Sequence, residues 1–378
     1  MISKSNAMWD SMWNQRNSIN RRDPFADSDE KFRTDIAYLL AQFGDLYQSW
    51  NRVPATPDTR LNHLTIFLWY NTPVGEQRSY ALNAAIWYAT NEMNGFTVMR
   101  IVKESAIDVF GGKELLERFH RDLDDPTLVN KDLSTCLQAM NLFVFHSAVR
   151  PYMGPLASYK HIFEALNRQT TKGEREHDFN IFSRASPLLC WSSSDFPPSM
   201  CLSPMLERHD LVCVMARGAI LCAENNCGPI NTNACVCLIE DHGKLLGSPN
   251  LPAGKNRWTH LVKAATRRDW YPTLQRLREL RPQNGPVPHM YTRLLRAWEQ
   301  FGERARVDEA AERVRFERIE AKKAKWCAWK QCEYHEKEPA TPMLKCSGCH
   351  KVRYCDKACQ RRDWKEGGHK RRCLSQDT

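Results

Sequence analysis

Four closely spaced pairs of cysteine and histidine near the C-terminus constrain this 378-residue chain more than any other feature. The pairs are Cys327 with Cys332, Cys346 with Cys349, Cys355 with Cys359, and His369 with Cys373. Zinc in proteins takes four thiolate or imidazole ligands at about 2.0 to 2.3 Å, and a closely spaced pair can turn two side chains toward one ion. Eight such ligands predict two tetrahedral zinc sites, and the spacing leaves open which pairs share an ion.

The segment that carries these pairs, residues 327–373, is too short to be stabilised by a hydrophobic core alone. Domains near this size usually depend on disulfides, metals or oligomerisation. Fifteen cysteines in a long chain without a secretory signal favour metal ligands and buried thiols over disulfides. We therefore expect zinc to provide most of the free energy of folding of this segment. Because protein ligands fill every coordination position, both ions are expected to be structural and not catalytic.

The sequence of this segment resembles the MYND family of zinc fingers. The resemblance lies in the stretch Cys-Ser-Gly-Cys-His-Lys-Val-Arg-Tyr-Cys-Asp-Lys-Ala-Cys-Gln, residues 346–360, followed by Asp363-Trp364 and the final pair of His369 and Cys373. It covers about the last eighth of the chain. HIT-type zinc fingers are similar, and the combination of Cys359-Gln360 with Trp364 favours the MYND family.

The resemblance implies that the ligand pairs interleave. One zinc ion would be bound by the first and third pairs, Cys327, Cys332, Cys355 and Cys359. The other would be bound by the second and fourth pairs, Cys346, Cys349, His369 and Cys373.

Two features depart from the family pattern. The first pair is Cys-x4-Cys where the family often has Cys-x2-Cys, and Gly367-Gly368 lengthens the segment before the last pair. His335 and His350 are alternative ligands, although an exposed loop histidine is the more common role.

The resemblance also implies a function, the binding of proline-rich peptides of partner proteins. Such a peptide would lie as an added strand along the edge of the finger, with its prolines in an aromatic groove. Gln360 and Trp364 match the peptide-contacting positions of the family. Tyr354 either contributes to the groove or fills the core around the metals, whereas Trp326 and Trp329 are expected to cover that core.

Before the finger, apolar residues recur at helical spacing. Two such helix faces are Ile36, Leu39, Leu40, Phe43 and Tyr47, and Leu133, Cys136, Leu137, Met140 and Val144. The predicted fold class is mostly α: a multi-helix N-terminal domain, either a bundle or an irregular armadillo/HEAT-like stack, with a small C-terminal zinc-stabilised MYND finger. The predicted domains are residues 1–302, a charged linking helix at 303–326, and the finger at 327–373.

The linking segment is rich in alanine and in charged residues, which predicts a solvated helix. Its apolar residues Val307, Ala310, Ala311 and Val314 fall on one stripe. Glu309 and Arg313 are spaced for an ion pair. Acidic side chains largely balance the basic ones, so a spacer is favoured over a nucleic-acid-binding arm.

The net charge of +10 is concentrated in the tail, where residues 322–378 contain 15 Lys plus Arg and 7 Asp plus Glu. Seven thiolates and two zinc ions would lower this local charge from +8 to about +5. The remaining basic residues are mixed with acidic ones and follow no recognition-helix pattern, so nucleic acid is not expected as a partner.

Common enzyme signatures are missing: the chain has no Gly-x-Ser-x-Gly, no Gly-x4-Gly-Lys and no His-Glu-x2-His. His120-Arg121-Asp122-Leu123 imitates a kinase catalytic loop, but without the companion motifs a helix end is favoured. Five cysteines that lie among apolar residues are predicted to be buried thiols: Cys213, Cys222, Cys227, Cys235 and Cys237.

We predict an adapter and not an enzyme. The alternative is an enzyme of unrecognised type, for example a methyltransferase, in the helical domain, with the finger recruiting its substrate.

Hydropathy argues against a membrane protein. The most apolar stretch, residues 211–223, is shorter than the roughly 20 residues of a membrane span. Residues 1–25 lack the apolar run of a secretory signal. We expect an intracellular protein without a membrane partner, and the sequence does not distinguish nucleus from cytoplasm.

Overall fold

The computed structural model describes residues 2–16, 35–36, 38–39, 42, 60–72, 81–82, 95–197, 200–225, 228–247, 255–282, 286–323, 325–350 and 352–373. Helices precede the finger in the order α1 (Ile2–Asn14), α2 (Leu61–Asn71), α3 (Gly95–Val102), α4 (Asp108–Phe110), α5 (Gly112–Leu123), α6 (Asn130–Val144), α7 (Ser158–Lys172), α8 (Asp178–Ser194), α9 (Leu202–Arg208), α10 (Leu211–Glu224), α11 (Pro229–Gly247), α12 (Lys255–Glu279), α13 (His289–Arg304) and α14 (Glu309–Lys323). None of these helices is long and apolar enough to cross a bilayer.

One of the two predicted helix faces can be compared with the structure in full. Leu133, Cys136, Leu137, Met140 and Val144 form the buried side of α6, as their spacing predicted. Most of the other face, namely Leu40, Phe43 and Tyr47, lies outside the described residues.

The helices pack in two interleaved series. In one series α6, α8, α11 and α13 contact one another in succession, and in the other α10 contacts α12 and α12 contacts α14. Helices of the two series also pack against each other, α7 on α8, α10 on α11 and α12 on α13. Within each series a helix thus contacts the helix two or three positions further along the chain, as in a stack of helix pairs. The mostly α prediction is confirmed, and of its two arrangements these contacts favour the irregular stack.

A reciprocal pair of tryptophans joins α12 to α13. The indole N–H of Trp270 donates to the carbonyl of Trp298 at 2.9 Å, and the indole N–H of Trp298 donates to the carbonyl of Trp270 at 3.0 Å. Gly302 lies against the Trp270 ring so closely that a Cβ atom there would be 2.1 Å from a ring carbon. Because a buried indole N–H needs an acceptor, this pair determines how the two helices meet.

The kinase-like sequence at residues 120–123 is the last turn of α5, so the helix-end interpretation is confirmed. The Asp122 carboxylate is fully buried, accepts a hydrogen bond from the Trp69 indole at 2.8 Å, and lies 3.3 Å from the Arg118 guanidinium. A buried carboxylate is tolerated when a cation and a donor satisfy it. Asp122 therefore connects α5 to α2.

The five cysteines predicted to be buried thiols differ in their environments. Cys222 and Cys235 are buried, as predicted, and Cys237 is half-buried. Cys213 is exposed, which contradicts the prediction, because its face of α10 lines a cleft between α7 and α10. Cys227 lies outside the described residues.

Helix α14 of the linking segment packs against α12 and is not solvated on all sides. The Phe316 ring lies 5.7 Å from the Tyr271 ring, and Glu312, only 5% exposed, forms an ion pair with Arg267 at 3.0 Å. The predicted apolar stripe is not the packed face, since Val314 is 57% exposed.

The ion pair predicted between Glu309 and Arg313 is replaced by two others. Glu309 pairs with Arg278 of α12 at 2.5 Å, and Arg313 pairs with Glu317 one turn further along α14 at 2.9 Å. A neighbouring helix thus supplies a partner that the local spacing could not indicate.

Acid should destabilise the helical domain through His120. This buried side chain shares a hydrogen bond with Ser158 Oγ at 2.8 Å, and its ring stacks on that of His161 with centroids 4.2 Å apart. Burial, and next the charge on His161, lower the pKa of His120 to about 3. The pKa of a histidine in an unfolded chain is about 6.5. Between these values the unfolded chain holds more protons, so the free energy of unfolding decreases as the pH falls.

We expect His120 to contribute a slope of up to about 1.4 kcal/mol per pH unit over this range. His120→Gln keeps a side-chain amide near Ser158 but cannot titrate, so the stability of this variant should depend less steeply on pH. Urea unfolding followed by circular dichroism at about pH 7, 6 and 5 measures the slopes. The exposed His289, replaced by Gln, is the matched control. Equal slopes for wild type and His120→Gln would contradict this assignment.

Candidate metal centres

The C-terminal segment folds around a hairpin and two short helices. Strands β1 (Leu344–Lys345) and β2 (Arg353–Tyr354) pair antiparallel, and helices α15 (Lys357–Lys365) and α16 (His369–Arg372) follow. Its buried side chains form a cluster that is separate from the core of the helical domain. Most of that cluster is cysteine, with Trp329 and the fully buried Tyr354 as its large members.

Main-chain hydrogen bonds place the first and third ligand pairs side by side. The N–H of Cys327 donates to the carbonyl of Tyr334 at 2.8 Å, and that of Ala328 donates to the carbonyl of Arg353 at 2.8 Å. The second bond holds the first pair beside β2, which leads directly into Cys355. Interleaving therefore follows from the return of the chain along β2.

Local signals place the remaining ligands. The Asp356 side chain accepts from the N–H of Cys359 at 2.7 Å, a typical N-cap that starts α15 and turns Cys359 toward Cys355. Gly368 has a φ of +74°, a left-handed conformation that glycine adopts without strain, and His369 begins α16 directly after it. The additional glycines that depart from the family pattern thus form the turn that orients His369.

The sulfurs of Cys327, Cys332, Cys355 and Cys359 lie within 4.8 Å of one another. Cys332 and Cys359 are each 3.5 Å from Cys355, sulfur to sulfur. In a tetrahedral site with zinc–sulfur bonds of about 2.3 Å, the sulfurs are about 3.8 Å apart. A disulfide would bring them to about 2.0 Å. This group is therefore dimensioned for a metal ion.

The second group contains Cys346, Cys349, His369 and Cys373, whose ligand atoms also lie within 4.8 Å of one another. The sulfurs of Cys346 and Cys373 are 3.7 Å apart. His369 Nε2 is 3.3 Å from the Cys346 sulfur and 3.7 Å from the Cys349 sulfur. The structure thus brings the eight predicted ligands together in the two groups of four that the resemblance implied, and both groups are compatible with zinc.

The protonation of these thiols fits a cation site. Burial raises the pKa of Cys346, but the main-chain N–H of Cys349 and the His369 ring, both directed at its sulfur, outweigh burial and lower that pKa to about 6. In the other group, burial and the nearby Cys332 raise the pKa of Cys355 to about 12. Four crowded sulfurs cannot all be thiolates without a compensating charge. A divalent ion at the centre of each group supplies that charge.

The alternative ligands lie outside both groups. His335 Nδ1 is 2.8 Å from the carbonyl oxygen of Cys327, which gives this histidine a structural partner, and His350 is exposed. The Cys-x4-Cys spacing is accommodated, because Cys327 is buried and its sulfur lies within the first group.

Two aromatic side chains of the finger, Tyr354 and Trp329, are buried. Tyr354 is core, because its side chain is fully buried and its hydroxyl donates to Asp363 Oδ2 at 2.8 Å. Burial and this carboxylate raise the pKa of Tyr354. Trp329 is buried as expected for a residue that covers the metal core, and Trp326 is half-buried. The role of Asp363 in holding α15 against β2 was not anticipated from the sequence.

The two predicted peptide-contacting residues lie one turn apart on α15. Gln360 is half-buried and Trp364 is 39% exposed, with its ring 5.8 Å from that of His369. Both residues of β1 are exposed, and in the described part of the chain β1 pairs only with β2, which leaves its outer edge open. Peptide binding by Gln360 and Trp364 stays a prediction.

Two further groups of potential ligands lie in the described helical region. One contains Glu174, Glu176 and His177 and the other Asp210, Cys213 and Asp269. In the second group Arg268 already forms ion pairs with both carboxylates. Although the Cys213 side chain reaches solvent, desolvation by the surrounding protein, and next the carboxylates of Asp269 and Asp210, raise the pKa of this thiol to about 11, so it is protonated at neutral pH. Neither group has the soft, closed ligand set of the finger.

Comparison with known proteins agrees with this geometry. A family model described as the MYND finger matches residues 327–373, and the region before them matches no family model. No curated protein and no solved structure matches the chain. The C-terminal segment of this chain, residues 327–373, is therefore a MYND finger, with two groups of four ligands that are compatible with zinc.

Proposed function

We propose that the chain is an intracellular adapter, whose MYND finger binds two structural zinc ions and docks proline-rich peptides of partner proteins. One observation carries the proposal: Trp364 keeps 39% of its surface exposed, whereas Trp329 and Tyr354, the aromatic side chains of the finger's core, are buried. An exposed indole in so small a domain is available for an apolar ligand. Zinc-bound thiolates in place of disulfides fit a reducing compartment.

In this proposal the two zinc ions have a structural role. Cys327, Cys332, Cys355 and Cys359 would hold one ion, and the second group, with His369 as its imidazole, would hold the other. When bound, zinc cross-links segments that share only a very small apolar core. Since four protein ligands close each shell, no coordination position remains for water or substrate.

The finger provides the two features that capture of an extended peptide requires. The open edge of β1 can pair with a peptide main chain, and α15 presents Trp364 to its side chains. Proline suits this mode because it has no N–H to leave unpaired on the solvent side, and its ring packs against an indole. Gln360 would donate to a peptide carbonyl from the adjacent turn.

The helical domain is proposed to act as a scaffold rather than as an enzyme. A cleft of about 340 Å³ lies between α7 and α10, and two of its charged residues, Arg217 and Asp210, already form ion pairs with protein partners. Arg217 pairs with Asp178 at 2.5 Å, and Arg268 pairs with Asp210. The His209 ring stacks on that of Phe163 at 5.2 Å.

Replacing Trp364 with Ala should abolish peptide capture and leave both zinc ions bound, because the indole supplies apolar contact and is not a ligand. We expect a loss of affinity of at least tenfold, as for an aromatic residue central to an interface. Titration of the full-length protein with a fluorescent proline-rich peptide measures binding, and atomic absorption measures zinc.

The matched control is Phe145→Ala, which removes a side chain that is 60% exposed on the helical domain. This variant should bind peptide as the wild type does. Loss of zinc from Trp364→Ala would show that the indole supports the metal site, and unchanged affinity would refute its role in binding.

A further inference from the structure

Helix α15 carries a second row of side chains beside the predicted peptide-contacting residues. Lys357, Arg361 and Lys365 succeed one another at intervals of four residues and so form a stripe along the helix, called here the basic stripe. Gln360 and Trp364 have the same spacing and are displaced by one position, about 100° around the axis. A ligand that lies against Trp364 therefore has the basic stripe along its side.

The cations of the basic stripe have no acidic partners among the described residues. All three side chains are exposed, and the one hydrogen bond among them runs from Arg361 Nε to the carbonyl of Lys357 at 3.4 Å, within the helix. The ion pairs of the finger lie elsewhere, in the loop after the first ligand pair, where Glu333 and Glu338 are engaged. Some arginines of the helical domain are paired, and Arg293, for example, pairs with Glu240 at 3.1 Å.

Two of the acidic residues close to the basic stripe are already used, and the third, Glu366 directly after Lys365, is exposed and forms no ion pair among the described residues. Asp356 caps the N-terminus of α15, and Asp363 is buried against the Tyr354 hydroxyl. Like charges four residues apart disfavour a helix when no counter-charge is present. An acidic ligand beside the stripe would supply the missing counter-charge.

We propose that the peptides recognised by the finger carry acidic residues beside their proline-rich core, and that the basic stripe binds those acidic residues. This inference rests on the proposed function, because it assigns the stripe to the same peptide that Trp364 contacts. Charges at the rim of an interface act mainly on the association rate, on specificity and on the salt dependence of binding. The prolines would determine where the peptide binds on the finger. The acidic residues would determine which peptides bind most tightly.

The experiment compares three synthetic peptides with one proline-rich core and with acidic, serine or lysine flanks. Each is titrated against the full-length, zinc-loaded protein. We expect the acidic-flanked peptide to bind about tenfold more tightly than the serine-flanked one at ~0.05 M salt, and the difference to shrink at ~0.5 M salt. The lysine-flanked peptide should bind most weakly.

The variant Lys357→Gln/Arg361→Gln/Lys365→Gln should lose the preference for acidic flanks and keep its zinc and its affinity for the serine-flanked peptide. The matched control, Lys131→Gln/Lys160→Gln/Lys172→Gln, removes the same charge from exposed lysines of the helical domain and should retain the preference.

Each remaining outcome has a distinct meaning. Equal binding of acidic-flanked and serine-flanked peptides to the wild type would overturn the inference and leave the proposed function standing. Failure of all three peptides would overturn both. An oligonucleotide that bound through the basic stripe as tightly as the acidic peptide would also overturn the inference, because the stripe would then be a general polyanion site.

Discussion

Replacing Cys346 with Ala should unfold residues 327–373 and leave the helical domain folded. The Cys346 sulfur lies 3.7 Å from that of Cys373 and 3.3 Å from His369 Nε2, so its removal opens one of the two groups. Zinc binding contributes about 10 to 16 kcal/mol to the folding of comparable fingers at neutral pH. The apolar core of this segment is too small to replace that contribution. The cores of the finger and the helical domain are separate clusters, so the effect should not spread.

Hydrogen exchange and metal content together measure this effect. Amide protection across residues 327–373 should disappear in the variant, and zinc should fall from about two ions per chain to about one or fewer. A strong chelator added to the wild type should reproduce the same loss. The matched control is Cys213→Ser, which changes an exposed thiol of α10 and should alter neither quantity. Full protection of the finger in the zinc-free protein would contradict a metal-dependent fold.

The second large effect is expected from adding one methyl group at Gly302. A Cβ atom at this position would lie 2.1 Å from a carbon of the Trp270 indole. The indole cannot easily move away, because its N–H donates to the Trp298 carbonyl. Overpacking of this kind typically costs about 1 to 3 kcal/mol, and occasionally more. We therefore expect Gly302→Ala to lower the Tm of the helical domain by roughly 6 to 12 °C, and calorimetry measures that shift.

Gly243 on α11 provides the control, because a Cβ there would meet only the end of the Arg304 side chain, at 3.1 Å. The flexible guanidinium can move, and alanine favours a helix over glycine by up to about 1 kcal/mol. Gly243→Ala should thus be neutral or stabilising. If both variants had the same Tm as the wild type, the close packing of the two tryptophans would not contribute to stability.

The candidate ligands of the finger were predictable because each pair of cysteine and histidine residues is separated by only a few residues in the sequence. Cys355 and Cys359 are brought together by a cap and one helical turn, and both signals are local. The grouping of the pairs was not predictable from spacing, since it depends on the main-chain bond between Ala328 and Arg353. The family resemblance supplied it, because a family pattern records long-range contacts that one sequence does not state.

In the helical region, periodicity predicted the secondary structure and only part of the environment. The apolar spacing of α6 correctly identified its buried face, since five residues agreed on one direction. The face of α14 was wrong, because Phe316 and Glu312 find partners on α12 that the local sequence does not reveal. Cys213 was likewise misjudged, because apolar neighbours in sequence need not be neighbours in space.

By itself, the sequence determined the helical character of the chain and the soft-donor side chains of the C-terminal segment, because spacing and periodicity act over one or two turns. Only the tertiary structure decided which helices pack together, that Tyr354 belongs to the core, and that Trp364 and the basic stripe remain exposed. Burial depends on which surfaces meet, and those surfaces come from residues far apart in the chain.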